Sequence, residues 1–431
     1  MGLLHEHIIL PLSDIMTGQQ IYRNFHFLRS TEDWTEQQME DFRCEKLRLT
    51  INNAIDHVPY YRELGLKKDV VRCFEDLHHL PIVNKQTIRN LGLTHFLSDN
   101  YPAKKRLLLH SSGSTGEPFT YYTSPEATSI NTAAKLMTWY KSGYILGDRY
   151  MNIKRSARES KTKRIQDWVN RSSYVTFYSL DDTHLLSILQ RIEKEKPLFL
   201  RSYPAPLALL AKYRLDHPLF RHIPKHIFTT GSNLTDASRK EIERAFGCDI
   251  IDSYSCEGTM NTYETPMHDG YHQTRPYGVM EILDEHDKPV TDGIGRVVST
   301  DFWNAAQPFI RYDTLDLVEM RHGKIQRIIG HDCETIIDAN GQRLTVHSFS
   351  GYFSRGDAEG HELVTAFQIV YRKNHSITFR LIVTPYYTNS FEQEIVSHWT
   401  KELNCNVIVE KVDKLPLMHN NKRKIIVNED A

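Results

Sequence analysis

Between Pro197 and Tyr254 the chain alternates β-like and helical patterns with almost no slack. "PLFLRSY" is followed by "PAPLALLAKYRL", "KHIFTTG" by "TDASRKEIERAFG", and that helix by "CDIIDSY". A strand, a helix and a second strand in this order form a parallel pair with the helix on one sheet face. Repetition of that unit specifies an α/β fold, with mostly parallel sheets and flanking helices. Short runs of the same kind extend from about residue 105 to about 330. Thr235 or Asp236 is placed to cap the second helix and Gly247 to end it. In such sheets ligands bind beyond the carboxyl ends of the strands. Three polar stretches fall there: "HSSGSTG", "TTGSN" and "SYSCEG".

The chain's 431 residues exceed one ordinary core, so two domains are expected, 1–329 and 330–431. In the first, residues 31–60 read as a helix with a Thr35/Gln38 capping box, stopping before Pro59. In the second, "AFQIVYRKNHSITFRLIVTP" alternates like a hairpin turning at Lys373-Asn374-His375. "NSFEQEIVSHWTKEL" is an amphipathic helix and "NVIVEKV" a strand. That is a small α+β domain, and a short hinge is expected near Gly330-His331-Asp332.

Lys and Arg number 53 against 54 Asp and Glu, so no global basic field points to nucleic acid. The six cysteines stand singly, with no CxxC pair and nothing like a disulfide framework, which suits a reducing cytoplasm. The N-terminal "MGLLHEHIIL" lacks a basic lead, and Glu6 stands where myristoylation needs Ser or Thr. No apolar run approaches the ~18 residues of a membrane span.

Three stretches can carry chemistry. In Ser111-Ser112-Gly113-Ser114-Thr115-Gly116, glycines let backbone N–H groups converge and hydroxyls add donors, which suits a polyphosphate. The GK[ST] ending of a P-loop is absent. "PFIRYDTLDLVEM" places Asp316 on a strand face with Thr314, where a carboxylate can accept hydrogen bonds from a ribose diol; a surface Arg311–Asp313 salt bridge is the plain alternative. "NNKRKIIV" sets Lys422, Arg423 and Lys424 in a turn before a strand.

In this order, and with "EKLRLTINNAIDHVPYYRELGL", "FEDLHHLPIVNKQTIRN" and "YKSGYILGDRY" before them, these motifs resemble the adenylate-forming ligase superfamily. The nearest resemblance is to its phenylacetate–CoA ligase branch and the capsule-biosynthesis-associated proteins grouped with it. The resemblance spans nearly the whole chain. It implies a large adenylating domain, a small mobile lid, and an enzyme that joins a small-molecule carboxylic acid to AMP, releases pyrophosphate and transfers the acyl group to coenzyme A. Transfer to an amine in polysaccharide biosynthesis is the alternative. A homodimer is an open expectation.

By resemblance, Ser111 to Gly116 wrap the β- and γ-phosphates of ATP. Gly231, Ser232 and Asn233 line the adenine pocket, with Asp252, Ser253 and Tyr254 on another side. Glu257 holds Mg²⁺, and Asp316 and the hinge residue His331 lie toward the ribose. Lys422 reaches the carboxylate and α-phosphate. The sequence departs from the family's pattern in three places. Ser253 and Tyr254 stand where Tyr-Gly is usual. "GHDCE" puts His331 at the hinge arginine and Cys333 at an acid. No glycine precedes Lys422, which leaves Lys424 as a rival. A degenerate nucleotide-binding protein is therefore the non-enzymatic alternative.

His268 and His272, with Cys256 upstream, have the spacing of a zinc half-site but read as loop histidines. Residues 154–171 hold seven Lys or Arg. They read as a solvated face, or else as a surface for an anionic acceptor. Trp139, Tyr140, Tyr203 and Phe228 are either core or the border of an acid pocket.

Overall fold

The computed structural model describes residues 2–110, 120–154, 167, 171–176, 182–231, 234–331, 335–337, 343–345, 349, 352–353, 363–372, 374, 376–415 and 426–429. The chain divides into two compact units. The larger holds Met1–Leu109 and Tyr121–Ile328, and the smaller holds His110–Thr120 and Ile329–Ala431.

Helix α1 (Glu36–His57) begins on a complete capping box. Thr35 Oγ1 accepts the Gln38 N–H at 3.2 Å, and the Gln38 side chain accepts the Thr35 N–H at 2.8 Å. Val58 is extended (φ −114°, ψ 119°), so α1 stops there, and Pro59 starts a new short helix, Pro59–Glu63. The apolar face of α1 (Leu47, Ile51, Ala54) packs with Val71, Leu77 and Ile310. Cys44 of α1 is bonded to Cys73, their Cα atoms 4.6 Å apart. This corrects the reading of six single thiols. Twenty-nine residues separate the pair and no local motif links them; the packing of α1 on the segment ahead of Phe74 brings them together. Among the described residues Cys248, Cys256 and Cys405 form no disulfide.

A seven-stranded sheet organises the larger unit. Its elements in chain order are α2 (Pro125–Lys141), β1 (Tyr150–Lys154), β2 (Ser172–Thr176), α3 (Asp182–Glu195), β3 (Phe199–Ser202), α4 (Pro204–Asp216), β4 (His226–Thr230), α5 (Asp236–Phe246), β5 (Ile250–Tyr254), β6 (Thr262–Tyr263) and β7 (His272–Gln273). The spatial order is β7-β6-β5-β4-β3-β1-β2. The five strands from β5 to β2 are parallel, and β6 and β7 are antiparallel at one edge. Strand pleating sends Leu200, Ile227 and Ile250 to one face, against Leu189, Leu210 and Ile242 of α3, α4 and α5. Phe199, Phe228 and Ile251 face the other way, onto Ile130, Ala134 and Trp139 of α2. Thr235 caps α5, its Oγ1 accepting the Ser238 N–H at 3.1 Å, and Gly247 ends it at φ +69°.

A second sheet contains β8 (Gly278–Leu283), β9 (Gly293–Asp301) and β10 (Tyr312–Arg321), with Val83–Asn84 on the outer side of β10. Strand β11 (Lys324–His331) pairs with β10. The residues read as a hinge, Gly330 and His331, are its last two, with Gly330 at φ +99°.

The smaller unit is α+β. Strand β12 (Val364–Tyr371) pairs antiparallel with β13 (Ile377–Val383), and β14 (Val407–Lys411) and β15 (Ile426–Asn428) flank that hairpin in parallel. Helix α6 (Asn389–Leu403) buries Ile395, Trp399 and Leu403 against Ile369, Phe379 and Leu381.

Candidate active site

The carboxyl end of β5 meets a distortion in β10. Between the pairs Asp313–Val298 and Leu317–Arg296, β10 places three residues opposite one of β9. Leu315 takes a left-handed φ of 62°, which costs an L-residue about 1–2 kcal/mol. Side chains hold that conformation. Asp313 Oδ1 accepts the Leu315 N–H at 2.9 Å, and Thr314 Oγ1 accepts the Asp316 N–H at 3.1 Å while donating to the Val297 carbonyl at 3.0 Å. A bulge re-aims the side chains it carries. Here the Asp316 carboxylate accepts the Tyr254 hydroxyl at 2.7 Å, and that hydroxyl also lies 3.3 Å from Thr314 Oγ1. One tyrosine thus joins the two sheets.

Glu257 lies just past β5, in a left-handed conformation (φ 42°). Its carboxyl contacts the Cys256 thiol. Burial pushes the Glu257 carboxyl above its ordinary range and the Asp316 charge adds to this, while the Cys256 contact and Lys85 pull it down. Burial pushes the Cys256 thiol up as well, followed by the charges of Glu257 and Asp316. Tyr121 and Tyr312 are held in their phenol forms by burial first and by Glu257 and Cys256 next. Lys85 begins the helix Lys85–Leu91, capped by Asn84. Asn84 pairs in register with Asp313, which sets Lys85 near the bulge. Sequence reasoning had not named Lys85, Tyr121 or Tyr312. The stretches "FEDLHHLPIVNKQTIRN" and "RYDTLDL" contain Lys85 and Tyr312, and "FTYYTS" contains Tyr121, but nothing in their spacing marks these three residues.

The neighbouring residues take other roles. Asp252 accepts the Thr229 hydroxyl at 2.5 Å and the Tyr271 hydroxyl at 2.6 Å. Burial raises its carboxyl to about 6. Ser253 Oγ donates to the Thr229 carbonyl at 2.9 Å. Gly231 has φ +79°, and a Cβ there would stand 2.7 Å from the Tyr203 ring, so glycine is required on both counts. Trp139 and Phe228 are buried, stacked at 4.8 Å, whereas Tyr203 is partly exposed. Residues 111–116, Ser232, Asn233, Lys422 and Lys424 lie outside the described residues, as does most of the basic run 154–171. Of His331 only its place at the end of β11 is described.

Two pairings that the sequence allows do not form. Arg311 does not pair with Asp313. It is buried, with two contacts to the Glu281 carboxylate at 2.9 and 3.1 Å and a third bond to the Leu80 carbonyl at 2.9 Å, while Asp313 faces Arg296 Nε at 3.2 Å. Arg311 stands just before β10 with a left-handed φ of 45°, so the i, i+2 alternation of a regular strand does not bring its side chain to Asp313. Nor do His268 and His272 share a centre. His272 Nε2 lies 2.7 Å from Asp269, and His268 gathers with Glu243 and Asp249, their ligand atoms within 4.8 Å of one another.

No protein-family model matches the chain. The chain is 24% identical to the protein CapK of Staphylococcus aureus over 277 residues, 60% of this chain and 59% of CapK. It is also 24% identical to the phenylacetate-coenzyme A ligase of Escherichia coli K12 over 352 residues, 70% of this chain and 72% of that enzyme. Its fold matches the crystal structure of 2-hydroxyisobutyryl-CoA ligase in complex with an acyl-AMP, with a TM-score of 0.64, 16% identity, and coverage of 90% of this chain and 88% of that one.

Proposed function

We propose that this chain is an adenylate-forming acid ligase. In this reading it joins a carboxylic acid to AMP with release of pyrophosphate and passes the acyl group to coenzyme A. The observation that carries the reading is the Tyr254–Asp316 junction beside Glu257, at the carboxyl end of a parallel sheet. The fold shared with 2-hydroxyisobutyryl-CoA ligase and the similarity to phenylacetate-coenzyme A ligases support it.

The residues divide the work as follows. Asp316, oriented by the Tyr254 hydroxyl, accepts the ribose hydroxyls. Glu257 is assigned to Mg²⁺, a hard cation that carboxylate oxygens suit. When bound, that ion would offset charge on the ATP phosphates. The hydroxyls and glycines of residues 111–116 are proposed to cradle those phosphates. Gly231, with Ser232 and Asn233, is assigned to the adenine side. Lys422 is assigned to the reacting carboxylate and α-phosphate, where fixed positive charge lowers the barrier. The smaller unit, within 330–431, would deliver that lysine for adenylation and withdraw it for thioester formation. Among the described residues no helix is long and apolar enough to cross a membrane. The cytoplasm, where ATP and coenzyme A occur, is the proposed compartment.

Acid-dependent exchange of labelled pyrophosphate into ATP tests the reading, across a panel of aliphatic, aryl, hydroxy and amino acids. Exchange with one or more acids is expected, and it should fall steeply in Lys422→Ala while ATP binding persists. ATP binding with no exchange from any acid would favour a nucleotide-binding protein that no longer catalyses.

A further inference from the structure

A second group of charged residues lies on the α2 face of the parallel sheet. Arg201 is on β3, in register with Asn152 of β1 and Phe228 of β4. In-register residues of neighbouring strands share a face. The Phe228 ring is stacked on Trp139 of α2, and the Arg201 guanidinium lies 5.7 Å from that indole's centroid. Lys135 is one helical turn before Trp139 on the same helix, so it overhangs the same patch.

This patch is positive and its cations are unanswered. Among the described residues neither Lys135 nor Arg201 makes a hydrogen bond or ion pair to a carboxylate. The charges that bear most on Lys135 are Arg201 and Lys154, both cations, and those on Arg201 are the phenols of Tyr150, Tyr203 and Tyr174. Lys135 keeps solvent-exposed surface, yet surrounding protein holds its ammonium down to about 8. The Arg201 guanidinium lies over the Trp139 indole of α2, so the patch lies between that helix and the sheet. Asn152 is 5% exposed, and its Oδ1 is buried with no hydrogen-bond partner among the described residues. Two uncompensated cations and an unsatisfied amide on one face are costly without a ligand.

We propose that this patch receives the tail of the acid and that the tail carries its own negative charge, making the substrate a dicarboxylate or an acid with an equivalent second anion. Arg201 and Lys135 would set that specificity, and Asn152 would meet a polar group beside the anion. This rests on the adenylation reading. A coenzyme A phosphate offers the same charge, but the confined position of Arg201 beneath α2 favours a slim acid tail over a solvated nucleotide.

The test uses matched acids in pyrophosphate exchange: butyrate against succinate, hexanoate against adipate, phenylacetate against carboxyphenylacetate. The wild-type protein should prefer the doubly charged member of at least one pair. Arg201→Gln should cut the ratio of kcat/KM values, dicarboxylate over monocarboxylate, about tenfold or more, the loss of one charge-assisted contact. Arg201→Lys should keep most of the preference, which separates lost charge from a damaged fold. Preference for the singly charged acids overturns the proposal. An equal loss on both members of every pair also overturns it, because the anion held would then be the reacting carboxylate. A raised KM for coenzyme A with unchanged acid selectivity assigns the cations to the coenzyme and likewise overturns it. If no acid supports exchange, thermal shifts decide. Stabilisation by the dicarboxylates that is lost in Arg201→Gln retains the anion site while the ligase reading fails; no such stabilisation removes both.

Discussion

Replacing Tyr254 by Phe removes one oxygen and leaves the ring in place. That oxygen donates to the Asp316 carboxylate at 2.7 Å and approaches Thr314 Oγ1 at 3.3 Å. Burial and the Asp316 charge both hold Tyr254 in its protonated form, so it is a standing donor across the working pH range. A hydroxyl bonded to a charged partner contributes about 1.5–3 kcal/mol, equivalent to roughly 10- to 150-fold in a binding constant. If Asp316 must be aimed to receive a ribose, Tyr254→Phe should raise KM for ATP about tenfold or more, with a smaller effect on kcat. The double-mutant cycle with Asp316→Asn should show a coupling of about 1.5 kcal/mol, because once the carboxylate is gone the hydroxyl no longer matters. Exchange kinetics at varied ATP measure the first quantity, and urea unfolding of the four proteins separates the stability component. A KM for ATP within about twofold of wild type, with additive single effects, would refute the assigned role of the junction.

Other perturbations reach the scaffold. Arg311 and Glu281 form a buried pair; Glu281→Gln leaves the guanidinium short of its counter-charge and should cost about 3–5 kcal/mol in urea unfolding. Asp252 and Asp301 are buried with carboxyls raised from 3.8 to about 6. The folded state therefore holds their protons more tightly than the unfolded chain does, and this contribution, full below about 4, is lost as pH rises through 6. Asp252→Asn should reduce the stability lost between pH 4 and pH 7 by as much as about 3 kcal/mol, read from urea midpoints at the two pH values. The Cys44–Cys73 bond closes a separation of 29 residues. Dithiothreitol should lower stability by about 3.6 kcal/mol on the chain-entropy estimate, and an unchanged urea midpoint would mean the pair is not bonded in solution.

Local rules made much of the scaffold legible. The capping box at Thr35, the stop before Pro59 and the αL glycine at 247 each depend on a few neighbouring residues, and each appears as the sequence implied. Alternation of strand and helix between Pro197 and Tyr254 was enough to require the parallel sheet. Features formed by distant segments were not legible. The Cys44–Cys73 bond depends on how one helix packs against a later loop. The "RYDTLDL" stretch drew attention to Asp316, but a regular strand was assumed, and the bulge at Leu315 follows from a register mismatch with β9 that no single strand displays. The same regular frame suggested an Arg311–Asp313 pair, whereas Arg311 is committed to Glu281, thirty residues away. Lys85 reaches the site through a two-residue strand, and Arg201 gained significance only once α2 was seen to cover its face of the sheet.

The central claim is that an acyl-AMP forms, and oxygen transfer tests it most directly. Panel acids carrying heavy oxygen in the carboxylate are incubated with the protein, ATP, Mg²⁺ and coenzyme A, and the nucleotide product is weighed by mass spectrometry. Attack of the carboxylate on the α-phosphorus predicts AMP bearing one heavy oxygen, together with unlabelled pyrophosphate and the acyl thioester. Label in inorganic phosphate with ADP as the nucleotide, or thioester formation with unlabelled AMP, would contradict it.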